Sequence, residues 1–306
     1  MSSTVASRVS AGQRRESNYR RNQTILKWVR VAVLCVLVAF ALFPVLWIIS
    51  ASFNPAQSLN SQRLIPQVDN VEELFRNYRT LLNTPRYPFW NWMTNSVVVS
   101  SVTSVLVVMV TALSAYAFSR FRFTGRRSLM LFILLVQVFP NLLAMTAIYL
   151  LLLQLGTFIP LLGLNTLGGL ILAYIGGAMG TNIWLMKGFF DSIPRELDES
   201  AMVDGATQWQ TYWQIIFPLV RPILIVVGIL SFVGTFNEVV LARVLLSRTE
   251  SWTLMVGLFS FVADNFGQNW GIFAAGACIG AIPTLLTYLI FQNQIVGGLT
   301  QGAVKG

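Results

Sequence analysis

The sequence has no histidine, two cysteines and only 12 acidic residues among its 306 positions. Each shortage removes a class of function. Without histidine, the commonest transition-metal ligand and the side chain best suited to moving protons near neutral pH are both missing. Cys35 and Cys278 each lie inside an apolar run, which argues against a disulfide framework, a zinc site or thiol catalysis. Charged residues make up 11% of the chain, less than half the share of a soluble domain, about 25%. Hydrophobic residues make up 55% and the mean hydropathy is +0.65, so a water-soluble globule is excluded. No Gly-x-x-x-x-Gly-Lys-Ser/Thr phosphate loop occurs, so the chain carries no signature for binding ATP itself.

What the sequence does have is uncharged runs long enough to cross a bilayer. A helix rises about 1.5 Å per residue and needs about 20 residues to span the hydrocarbon. Six such runs occur, at about 31–53, 96–119, 129–155, 167–186, 223–241 and 272–291. Only helices satisfy their own backbone in lipid over such lengths, so the expected fold is an all-α membrane protein with six transmembrane helices. The first run is longer than the core of a signal peptide and has no small-residue cleavage site, so it reads as an uncleaved anchor.

The basic residues orient these spans. The net charge is +9, which in a membrane chain points to loops sorted by charge rather than to nucleic acid. Seven basic residues precede the first run, and Arg120, Arg122, Arg126 and Arg127 fall between the second and third. Placing both termini in the cytoplasm puts 15 of the 21 basic residues inside, as the positive-inside rule requires. The expected organisation is a basic cytoplasmic segment at 1–30, a six-helix domain at 31–291 and a cytoplasmic tail at 292–306. Anionic membrane lipid is the surface such a basic segment meets; its plainest reading is a disordered topology determinant.

The inner loop at 187–221 reads as folded. Ser192 is a candidate helix cap, Pro194 suits a first turn, and Glu196, Asp198 and Glu199 cluster at the positive end of the dipole. This helix should end at Gly205. Thr207 and Gln210 form a capping-box pattern for a second helix, with Trp209, Trp213, Ile216 and Phe217 on one face against the membrane domain and Pro218 as its stop. Such an element suits docking into a groove on a soluble partner, or lying as an amphipathic linker at the interface.

Within this loop, Glu199-Ser200-Ala201, Gly205, Ile215 and Phe217-Pro218 resemble the signature of bacterial ABC importer permeases, where Glu-Ala-Ala, Gly, Ile and Leu-Pro stand at the same spacing. Ser200 and Phe217 depart from that pattern modestly. Residues 163–170, 204–210 and 298–306 further resemble the MalG-type permeases of maltose and maltodextrin importers, and the likeness runs from about Trp92 to the end. The resemblance implies a type I ABC importer permease fold and a non-enzymatic subunit of a sugar importer in the cell inner membrane. It implies that Glu199, Ser200, Ala201, Gly205, Ile215 and Pro218 form a coupling helix for an ATPase subunit homodimer, which would hold the ATP and magnesium. It also implies a second permease subunit, an extracytoplasmic sugar-binding protein contacted by Ser247, Arg248, Thr249 and Glu250, and a C-terminal tail reaching the ATPase dimer interface.

Asn237 and Glu238 lie toward the outer end of the fifth run, and Glu238 is the one acidic residue inside any apolar run. A carboxylate there faces a cavity or a partner rather than lipid. Three readings stand open: a group lining or gating the pathway, an interhelical bond, and the proton site of a secondary transporter or channel. Arg243 is its candidate ion-pair partner. Pro44, Pro140 and Pro283 interrupt the first, third and sixth spans, where such residues kink a helix or permit close packing, packing being the plainer account.

Overall fold

The computed structural model describes residues 2–68, 70–263 and 269–303, with side chains for all of these except 2–22, 24, 59, 141, 142 and 295–303. The described residues are helical, with no strand. In chain order the helices are α1 (Ser2–Phe53), α2 (Val71–Leu74), α3 (Arg76–Asn83), α4 (Phe89–Arg120), α5 (Arg126–Val138), α6 (Asn141–Phe158) and α7 (Leu167–Asp191). There follow α8 (Glu196–Val203), α9 (Gln208–Thr211), α10 (Phe217–Phe236), α11 (Val240–Leu245), α12 (Leu254–Ser260) and α13 (Trp270–Ala303).

Among the described residues five helices are long and apolar enough to cross a membrane, and there are six such spans if α5 and α6, bent by 105° at their junction, count as one. The break falls at Phe139-Pro140, because proline removes a backbone donor and disfavours helix at the residue before it. Pro44, Pro222 and Pro283 lie inside helices that continue through them.

Both expected boundaries of the fifth span are corrected, and the helices at the two ends of the chain run beyond their spans. Through the expected basic segment at 1–30 the backbone is helical, α1 running from Ser2 into the first span. The fifth span begins well before residue 223: α9, a π turn over Tyr212–Ile216 and α10 run on as one rod, so Pro218 does not stop a helix but sits in the first turn of α10, where its missing N–H costs little. The same span ends at Phe236 rather than near 241, and Asn237 to Val239 form a break before α11. At the other end of the chain the candidate span covers Trp270–Gln294 and α13 continues as helix to Ala303; residues 304–306 of the expected tail lie outside the described residues.

The bundle is organised around α4, which packs along α7 and α10, while α1 runs beside α13. Ser96, Ser100, Thr103, Ser104, Thr111 and Ser119 of α4 are all buried. Small and hydroxyl side chains let helices approach closely, and Ser104 and Thr111 return their hydroxyl protons to carbonyls of their own helix at 2.9 and 2.5 Å. One apolar core forms at the Arg120 end around Tyr116, Met186, Phe190, Tyr212 and Ile216. Another forms at the opposite end around Phe89, Trp92, Leu254 and Phe261. By contrast α1 is apolar and exposed almost all round from Ile25 to Leu46, the condition of a helix that faces lipid.

Candidate functional site

The loop between α7 and α10 folds as the sequence suggests, through different atoms. Ser192 does not cap α8; it closes α7, donating its hydroxyl proton to the Phe189 carbonyl at 2.7 Å. Arg195 stands at the N-cap of α8 and offers no capping side chain, so Glu196, Asp198 and Glu199 in the first turn supply the negative charge there. Helix α8 ends one residue early, with Asp204 at its C-cap. Gly205 follows at φ +86°, its N–H donating to the Met202 carbonyl at 3.1 Å and that of Ala206 to the Ala201 carbonyl at 2.9 Å. This pair of bonds is a Schellman motif, which needs a left-handed residue at that position. The capping box of Thr207 and Gln210 then starts α9.

A buried clasp anchors this element to the spans. The Arg120 guanidinium at the end of α4 pairs with Asp198 of α8 at 2.9 Å, both side chains being under a tenth exposed. Arg120 also donates to the Ile193 carbonyl at 3.1 Å, and Arg195 donates to the Ser119 carbonyl at 2.9 Å. Ser119 in turn donates to Asp191 at 2.6 Å, and Lys187 pairs with the same carboxylate. Burial pushes the Asp198 carboxyl above the usual carboxylate range against the opposing pull of Arg120 and Arg195.

The six signature positions divide. Glu199, Ser200 and Gly205 are exposed, Ala201 is buried against the bundle, Ile215 packs half-buried on the Arg120-end core, and Pro218 is exposed at the start of α10. Beside Glu199 the outward face carries Met202 and Val203, the latter 87% exposed. Of the expected face, Ile216 and Phe217 pack on the core as read, while Trp209 and Trp213 are exposed. Tyr212 and Ile216 turn inward, at 2% and 0% exposure, while Trp209 is 62% exposed. The π turn at 212–216 widens the helix by one residue and so rotates the buried stripe away from the spacing of an α-helix.

Near the opposite end a cavity of about 390 Å³ opens between α6, α7 and α10, its polar lining being Tyr174, Asn182, Ser231, Thr235 and Glu238. Glu238 accepts from the Tyr174 hydroxyl at 2.5 Å and from the backbone N–H groups of Leu241 and Ala242 at 2.7 and 3.0 Å. Both carboxylate oxygens are therefore engaged in joining α7 to the start of α11. The Arg243 ion pair does not form; that guanidinium lies over the Trp252 ring at 4.6 Å. Asn237 is exposed, donates to the Val233 carbonyl at 2.8 Å and does not line the cavity.

Ser247, Arg248 and Glu250 expose their side chains, and Thr249 is half-buried. Their backbone is held firmly. Asn165, at φ +60°, accepts from the N–H groups of Ser247 and Arg248 at 2.5 and 3.2 Å, Trp92 donates to the Thr249 carbonyl at 2.8 Å, and Asn95 donates to the Glu250 and Trp252 carbonyls at 3.0 Å. Nothing in the sequence signals the bonds that Arg120, Tyr174, Asn165 and Asn95 make, because each acts across 64 or more residues of chain.

The family model described as "Binding-protein-dependent transport system inner membrane component" matches residues 107–295. The maltose/maltodextrin transport system permease protein MalG of Vibrio vulnificus is 40% identical over 288 residues, covering 91% of this chain and 96% of that protein. The galactooligosaccharides transport system permease protein GanQ of Bacillus subtilis is 38% identical over 289 residues, covering 92% and 98%. Among solved structures, a bacterial ABC transporter involved in the import of the acidic polysaccharide alginate superimposes with a TM-score of 0.71 at 26% identity, covering 90% of this chain and 98% of that one.

Proposed function

This chain belongs to the binding-protein-dependent transport system inner membrane components, and from that premise we propose that it is the permease subunit of an ATP-driven importer of oligosaccharides, with maltose or maltodextrin as cargo. The relatives named for maltose/maltodextrin and for galactooligosaccharides both cover nearly its whole length, which supports a sugar as the class of cargo. The complete importer has a second permease chain, an ATPase homodimer that supplies the ATP and magnesium chemistry, and an extracytoplasmic binding protein. Both termini and α8 face the cytoplasm, in keeping with the basic residues on that side.

The observation that carries the coupling role is the combination of an outward face at Glu199, Ser200, Met202 and Val203 with a buried root through Asp198, Arg120 and Tyr212. A partner that grips the outward face pulls on α4, α7 and α10 together. Closure of the ATPase dimer would thus be passed on as a rigid-body movement of the bundle, turning the pathway between inward and outward access. The Glu238 geometry favours the interhelical reading over a proton site, since both carboxylate oxygens are engaged by the Tyr174 hydroxyl and the Leu241 and Ala242 N–H groups.

The test is to tag this chain, extract it in mild detergent, identify the co-purifying chains and measure ATP hydrolysis with sugar-loaded binding proteins. A second permease and an ATPase in stoichiometric amounts, with stimulation by the maltodextrin-loaded protein, is the expected result. A chain that purifies alone and moves solute in liposomes without ATP would overturn the proposal.

A further inference from the structure

A second, basic pocket of about 600 Å³ lies between the start of α5 and the last turns of α7, with Phe123, Arg126, Arg127, Met130, Trp184 and Lys187 on its walls. It sits where three spans reach their ends, α4 at Arg120, α5 at Arg126 and α7 at Asp191, which is the depth of lipid headgroups. Three cations meet there and the adjacent carboxylate, Asp191, is already bonded to Lys187 and Ser119, with Arg126 also within its field. Arg127 has no ion-pair partner among the described residues. The first turn of α5 begins at this wall with Gly125, which brings no capping side chain, so the positive end of the helix adds to the same field. The remaining wall is apolar, and Trp184 is of the type that anchors at the membrane interface.

We propose that this pocket binds the phosphate of an anionic phospholipid, held by Arg126, Arg127 and Lys187 with Trp184 beside the upper acyl chain. A soluble anion shares the phosphate chemistry but leaves the apolar wall uncovered. The site shares Lys187 with the clasp beneath α8, through Asp191, but Arg126 and Arg127 lie outside that clasp.

The experiment uses the assembled importer in nanodiscs containing phosphatidylcholine and phosphatidylglycerol, with bromine on the acyl chains of one lipid or the other. The Trp184 signal is the difference in tryptophan fluorescence between the wild type and Trp184→Phe. Bromine on phosphatidylglycerol should quench that signal more than bromine on phosphatidylcholine. The preference should fall about tenfold or more in Arg126→Gln/Arg127→Gln, since each basic residue near an anionic leaflet is worth about fivefold. It should survive Arg126→Lys/Arg127→Lys and Arg122→Gln, which keep the pocket charge. Equal quenching by both lipids, or an equal loss with Arg122→Gln, would overturn the site. Displacement of the lipid by inorganic phosphate would overturn the choice of a lipid ligand in favour of a soluble one.

Discussion

Arg120 comes from a run of four arginines that, read along the chain, look alike as determinants of topology. In the folded protein only this one is buried against a carboxylate, while Arg122 and Arg127 are exposed. Asp198→Ala should therefore leave a buried, uncompensated guanidinium and cost about 3 kcal/mol; replacing both partners with apolar residues of similar volume should cost less. Thermal unfolding of the purified complex, run as a double-mutant cycle, checks this, and a double variant worse than the single would refute it. Gly205 makes a different demand. A side chain there meets nothing within 4 Å, so bulk is tolerated and the left-handed backbone is the constraint. Gly205→Val should strain the turn by about 1–2 kcal/mol and uncouple ATP hydrolysis from uptake, while Gly205→Asn, which visits that conformation, retains most coupling. Loss of uptake in both to the same degree would mean that contact rather than conformation matters. Glu238→Gln keeps one acceptor oxygen for the α11 N–H groups and should preserve most sugar uptake, whereas Glu238→Ala should not. A Gln variant without any uptake would revive the proton-site reading.

At the scale of elements, the sequence and the structure part where backbone departs from a regular α-helix. A capping box is a local pattern and forms as its spacing indicates. The π turn at 212–216 is not, because a one-residue insertion in a helix leaves no composition signal, and so Tyr212 rather than Trp209 becomes the core residue. The 247–252 segment shows the same limit: its sequence reads as an ordinary solvated loop, but Asn165, Trp92 and Asn95 tie it from two other elements. Asn165→Gly keeps the positive φ and loses the two hydrogen bonds; Asn165→Ala loses both. Each should lower stimulation of ATP hydrolysis by the binding protein several-fold with basal hydrolysis unchanged, the Ala variant more so. Titrating the binding protein into reconstituted importer measures this, and unaltered stimulation in both would show that the tie is dispensable.

At the scale of the whole molecule, two apolar cores stand at opposite ends of α4, and the α8–α9 element is continuous with one of them. Its exposed rim is then free to meet a partner without loosening the bundle. Amide exchange in peptides covering 196–210 should slow when the ATPase subunits are bound and remain slow through Tyr212–Ile216 with or without them. Exchange that is indifferent to the ATPase would refute docking at α8.

Membrane class, the apolar runs that become the long helices and the capping box of the 187–221 loop were legible along the chain, because hydropathy and capping are set by near neighbours. The tertiary structure alone decided which arginine is buried, which aromatic enters the core, and that Glu238 holds Tyr174 and α11 rather than Arg243. Those outcomes depend on groups 64 or more residues apart meeting in an environment where an unpaired charge or polar group is costly. Nothing local in the sequence records which partner satisfies it.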